Sequence, residues 1–102
     1  MAKRIKDSKR SRRRYLMSGL RELVRPGIGV YVSRSWFFSS PGDHMRPWCA
    51  RIWEPGKRSS GFWVQSRDWN ELLWNCLQTL LDYGGKHLIR GSRKKPSWME
   101  LK

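Results

Sequence analysis

The strongest hydrophobic pattern in the chain has helical spacing and falls in its last third. Trp69, Leu72, Leu73, Cys76, Leu77, Leu80 and Leu81 follow the i, i+3, i+4, i+7, i+8, i+11, i+12 series of one helix face. Ser66 stands where an N-cap belongs, and Asp68 and Glu71 suit the positive end of the helix dipole. Gly84-Gly85 supplies the stop. The spacing therefore predicts a helix over 67–83. Trp74 lies off the apolar stripe, so Trp69, Leu73, Trp74 and Leu77 are candidates for a helix-built dimer interface.

Upstream the period changes to two. In 28–38, Ile28, Val30, Val32, Arg34, Trp36 and Phe38 point one way, and Tyr31, Ser33, Ser35 and Phe37 point the other. The mixed second half of this run predicts a bend around Ser33 to Ser35. Ser39-Ser40-Pro41-Gly42-Asp43 reads as a turn. A second strand over 47–54 places Trp48, Ala50 and Ile52 on one face and Cys49, Arg51 and Trp53 on the other. A third, over 61–66, separates Phe62 and Val64 from Trp63 and Gln65. Between them, Glu54 to Gly61 is a polar connection with Lys57 and Arg58 at its tip. Near the start, Tyr15, Leu16, Leu20, Leu23 and Val24 predict a short helix within 12–24 that ends before Arg25-Pro26-Gly27.

The expected architecture is thus α+β: an antiparallel β-meander of three to four strands followed by one amphipathic helix. At 102 residues one small domain is expected over 15–83. It lies between a basic flexible arm at 1–14 and a basic tail at 84–102. The arm carries Lys3, Arg4, Lys6, Lys9, Arg10, Arg12, Arg13 and Arg14 against Asp7 alone, a block that repels itself. The tail adds Lys86, Arg90, Arg93, Lys94, Lys95 and Lys102 against Glu100. Either segment can lie along phosphates, or serve only as a solubilising extension.

Charge and aromatic content sharpen the picture. Twenty-two Lys and Arg face eight Asp and Glu, for a net charge of +14, alongside seven Trp, three Tyr and three Phe. Stacking surfaces interleaved with positive charge suit nucleic acid, single strands above all. Tyr31, Arg51, Trp53 and Trp63 can share one sheet face, with Lys57 and Arg58 beside it and Arg34 and Trp36 as further candidates. Packing in a core is the competing reading of these aromatics.

Catalytic chemistry finds little footing. No Gly-rich phosphate loop, Ser-His-Asp arrangement or paired-carboxylate constellation is legible, and an enzyme is not expected. Cys49 and Cys76, with His44 and His87, fit neither a disulfide framework nor a metal site. No cofactor is expected. The cysteines fit an intracellular, reducing compartment, meaning the nucleus in a eukaryote and otherwise the cytoplasm or nucleoid. No apolar run approaches the ~18 residues of a membrane span, and the N-terminus lacks the apolar core of a secretory signal.

The order of strand, Pro/Gly turn, basic loop, short strand and acid-Trp helix start resembles the single-stranded-DNA-binding domain of the positive cofactor four family of transcriptional coactivators. ARIWEPGKRSSGFWVQSRDWNELLWNCLQTLLD, residues 50–82, carries the likeness, with YVSRSWFF at 31–38 as the preceding strand. The related Whirly architecture, built of similar strand–helix units, is equally compatible. The resemblance implies curved sheets that grip unpaired strands, contacts at Arg51, Trp53, Lys57 and Arg58, and a homodimer built across the helix. Two other classes stay open on the sequence: a ribonucleoprotein component that threads basic tails through folded RNA, and a small viral or phage protein-interaction module.

Overall fold

The computed structural model describes residues 9–34, 48–91 and 96–99. The fold is α+β, with a three-stranded antiparallel sheet and two helices in the order α1 (Lys9–Leu23), β1 (Gly29–Arg34), β2 (Trp48–Trp53), β3 (Phe62–Ser66) and α2 (Leu72–Asp82). The strands lie side by side in chain order, β1-β2-β3. This is the meander expected from the period-two pattern. The bend expected around Ser33 to Ser35 is not present at Ser33 and Arg34, which pair in unbroken register with Cys49 and Trp48. Ser35, Trp36 and the turn read over 39–43 lie outside the described residues, as do residues 1–8 and Arg93, Lys94 and Lys95.

Both helices cover one face of the sheet. Val32, Ala50, Ile52 and Val64 alternate onto that face and are buried against Leu16, Leu20, Leu72, Cys76 and Leu80. Fully burying each large aliphatic side chain favours folding by roughly 1.5–3 kcal/mol. The helix layer thus supplies most of the cohesion; among the described residues the opposite sheet face carries no helix, although Cys49 on that face is buried.

α1 begins three residues earlier than the apolar spacing places it. Lys9, Arg10, Arg12, Arg13 and Arg14 are therefore helical, in contrast to the flexible arm expected for that stretch. Leu16, Leu20 and Leu23, spaced i, i+4 and i+7, anchor this helix in the core. Its C-terminal end is tied to the chain beyond α2. Arg25 N–H donates to the Leu88 carbonyl at 2.8 Å, and Arg90 N–H donates to the Leu23 carbonyl at 2.8 Å. Val24 and Ile89 form an isolated antiparallel bridge between those bonds.

α2 starts later than expected. Ser66 does not cap it: its hydroxyl donates to the Asp68 carbonyl at 2.7 Å, and Ser66 itself ends β3 opposite Trp48. One 3-10 turn over Trp69–Glu71 precedes the helix proper. The predicted stripe holds over Leu72, Leu73, Cys76 and Leu80, all buried, whereas Leu81 is half-exposed. The C-terminal stop forms as expected. Gly84 adopts φ +83°, and Gly85 N–H donates back to the Leu80 carbonyl at 2.7 Å, the Schellman arrangement.

Residues beyond 84 are partly folded onto the domain. Leu88 is buried, and so is Trp98, whose indole N–H donates to the Gly19 carbonyl at 3.1 Å. Ser97 bonds the Glu22 carboxylate through both its backbone N–H and its hydroxyl. Among the described residues no helix is long and apolar enough to cross a membrane.

Candidate nucleic-acid interface

The face of the sheet opposite the helices collects the aromatic and basic residues that the alternation assigned to it. β1 and β2 pair Tyr31 with Arg51, and β2 and β3 pair Arg51 with Trp63. The three side chains thus form one row across the whole sheet. Trp63 is 59% exposed and Tyr31 41%, high values for residues of this size. The Arg51 guanidinium lies 5.3 Å from the centre of the Trp63 ring.

A second row lies one pair further along. Trp53 of β2 stands opposite Gly29 of β1, and its indole lies so close over Gly29 that a Cβ there would overlap the ring. Arg58, on the connection between β2 and β3, places its guanidinium 5.3 Å from the Trp53 ring centre. Arg51 Nη2 also donates to the Arg58 carbonyl at 3.4 Å, which links the two rows. Trp53 is consequently half-buried, with less ring surface open than Trp63 has.

Arg13 is a member that the strand pattern alone did not reveal. From α1 it reaches the edge of β1, where its Nε donates to the Val32 carbonyl at 2.8 Å and its guanidinium lies 5.1 Å over the Tyr31 ring. The Val32 N–H, on the same outer edge, donates to the Met17 sulfur at 3.2 Å. The edge strand is therefore covered at Val32 by two α1 side chains. A signal was present in the sequence, since Arg13 precedes Leu16 by three residues and so lies on its helix face.

Other expected members fall elsewhere. Arg34 shares the helix-side parity of Val30 and Val32 and lies 5.7 Å over the Trp48 ring at the end of the sheet, outside the Tyr31 row. Lys57 is engaged by Glu54 at 3.3 Å, and the same carboxylate also meets His87. Those partners, His87 first and then Lys57, hold the Glu54 carboxyl below the usual carboxylate range.

The helix surface expected to form a dimer is largely used inside the chain. Leu73 is buried and lies against Gly19 of α1. Trp74 meets Trp98 edge to face at 5.1 Å between ring centres, and Trp69 meets Tyr15 in the same way at 5.7 Å. Leu77 stays half-buried beside Leu81.

Both cysteines are buried free thiols. Burial pushes Cys76 up to about 12 and Cys49 up to about 11, Arg51 opposing the latter shift, so each stays protonated at neutral pH. Among the described residues no three His, Cys, Asp or Glu side chains gather as a metal site.

Compared with protein-family models, curated proteins and solved structures, the chain finds no match in any of the three.

Proposed function

We propose that the protein binds single-stranded nucleic acid across the sheet face opposite the helices. The observation that carries this reading is the row Tyr31–Arg51–Trp63, in which two exposed aromatic rings flank a guanidinium. An unpaired strand offers base faces to such rings and phosphates to such cations, whereas a duplex hides its base faces in the stack. Each base stacked on Trp63 or Tyr31 contributes roughly 1–3 kcal/mol. Arg51, Arg58 and Arg13 supply the salt-dependent share, and Trp53 extends the aromatic surface along the sheet.

The reading needs only one copy of the chain. A dimer through α2 is not retained, because Trp69, Leu73 and Trp74 are taken up by α1 and by Trp98.

Titration with matched single-stranded and duplex oligonucleotides at rising salt, followed by intrinsic Trp fluorescence, tests this reading. It expects quenching and a single-strand preference that persists as salt rises. Equal, steeply salt-dependent binding without a fluorescence change would leave the charge alone responsible and the face without its role.

A further inference from the structure

At Trp53 the candidate interface borders a pocket that no part of the reading so far uses. It encloses about 240 Å³ where β2 passes into the connection to β3. Trp53, Phe62 and Leu88 give it apolar walls, and Glu54, Lys57, Ser60 and His87 give it a polar edge. The volume falls short of the ~300–1,000 Å³ usual for drug-sized ligands and suits one small planar ring system.

Two segments fix the polar edge. Lys57 N–H donates to the Glu54 carbonyl at 2.9 Å, closing the turn that joins the two residues. His87 comes from the 3-10 turn Lys86–Leu88, anchored by the buried Leu88. Its Nε2 meets Glu54 Oε1 at 2.5 Å, and Lys57 Nζ lies 3.3 Å from Glu54 Oε2. These contacts favour the ionised carboxylate, an acceptor on both oxygens. Each oxygen keeps a second lone pair, and the Lys57 ammonium keeps further donors.

The edge therefore presents an acceptor, a second acceptor and a donor, in the order Oε1, Oε2 and Nζ. A carboxylate at its centre repels phosphate, so the pocket favours the neutral part of a nucleotide, its base. Among the four bases guanine alone sets two adjacent donors, N2–H and N1–H, beside an acceptor, O6. That is the complement of the order found here. Adenine and cytosine bring one amino group beside an acceptor nitrogen, and thymine brings one N–H between two carbonyls. Each of these would turn an acceptor towards a carboxylate oxygen and leave it unpaired.

Trp53 belongs both to the second row of the sheet face and to the wall of the pocket. Arg58 lies against the Trp53 ring, and Arg51 bonds the Arg58 carbonyl, so cations for the flanking phosphates stand beside the entrance. Unpaired bases can be splayed from a strand and read on their Watson–Crick edges in this way.

We infer that this pocket takes one guanine base of the bound strand, held by the Glu54 carboxylate and the Lys57 ammonium. The inference rests on the sheet face being the single-strand site, and it adds a base preference to that site.

The test compares oligothymidylate with the same strand carrying guanine, hypoxanthine, adenine or cytosine at every fourth position. Binding is read by anisotropy from an end label. The guanine strand should bind about five-fold or more tightly than oligothymidylate, as a two-point base contact implies. Hypoxanthine stacks like guanine but lacks the N2 amino group, and it should give up most of that gain. Glu54→Gln, at a part-exposed loop position, should bring the guanine-to-thymine ratio below about two. The ratio is the readout because losing a negative charge strengthens binding to every strand. If the variant fails to fold, the hypoxanthine comparison with the wild type decides. A guanine strand that binds no tighter than the hypoxanthine strand, or a folded Glu54→Gln protein that keeps the ratio, overturns the pocket and leaves the sheet-face reading standing. If no strand binds, the sheet-face reading falls, and the inference with it.

Discussion

Arg51 and Trp63 face each other across β2 and β3 at the same register position, with the guanidinium 5.3 Å from the ring centre. A planar cation held against an indole is pre-oriented to stack beside a base rather than to roam as a solvated charge. Arg51→Lys keeps the charge and loses the plane. It is expected to weaken single-strand binding several-fold while leaving the salt slope close to that of the wild type, as measured by titration at three salt concentrations.

Gly29 and Trp53 form a contact in which any side chain at position 29 displaces the ring. Gly29→Ala should destabilise the domain by about 1–3 kcal/mol, the usual penalty of overpacking. Its Trp emission should also shift as Trp53 moves towards solvent. Denaturant unfolding and the native emission spectrum check both parts.

Trp98 serves the fold and not the face. It is buried, bonds the Gly19 carbonyl and packs edge to face on Trp74. Trp98→Ala is expected to cost about 3–5 kcal/mol of stability, as for other buried large aromatics. Under conditions where the variant remains folded, its single-strand affinity should match that of the wild type.

Two groups of side chains give opposite pH dependences. Glu54 is held below its ordinary value of 4.5, so the stability from its contacts with His87 and Lys57 is present above that value and fades as pH falls through the lowered one. The thiols are shifted the other way, to about 11 and about 12 from 9.0, so their contribution is complete below pH 9 and is lost as pH rises through those values. Thermal melts between pH 3 and pH 11 should therefore fall at both ends. At neutral pH both thiols should react with a thiol reagent only as fast as the domain opens.

Residues 1–8 hold Lys3, Arg4 and Lys6. Removing them should flatten the salt dependence of binding by the share those charges contribute, while the preference for single strands over duplex persists. Loss of all binding on this truncation would instead favour the ribonucleoprotein reading, in which charged termini carry the interaction.

Much of the site was legible because strand alternation has a strict period. Tyr31, Arg51 and Trp63 each sit at a position opposite to the buried Val32, Ala50 and Val64, so a shared face followed from parity alone. What parity did not show was the register that lines them up in one row. The start of α2 was misread because Ser66, Asp68 and Glu71 make a good capping sequence, yet the Ser66 hydroxyl is taken by the Asp68 carbonyl. Trp74 resembled an interface residue because its partner, Trp98, lies 24 positions away in a basic stretch with no periodic pattern. Arg13 was grouped with a flexible arm since charge dominates residues 9–14, although its spacing from Leu16 placed it on the helix face that reaches β1.

The most direct test of the account is the single-strand affinity of Trp63→Ala, read beside its unfolding midpoint. Trp63 is the most exposed tryptophan among the described residues and lies outside the buried core. The account predicts an unchanged midpoint and a loss of about 1–3 kcal/mol in binding, roughly five- to 150-fold. Wild-type affinity in a folded Trp63→Ala protein would contradict it.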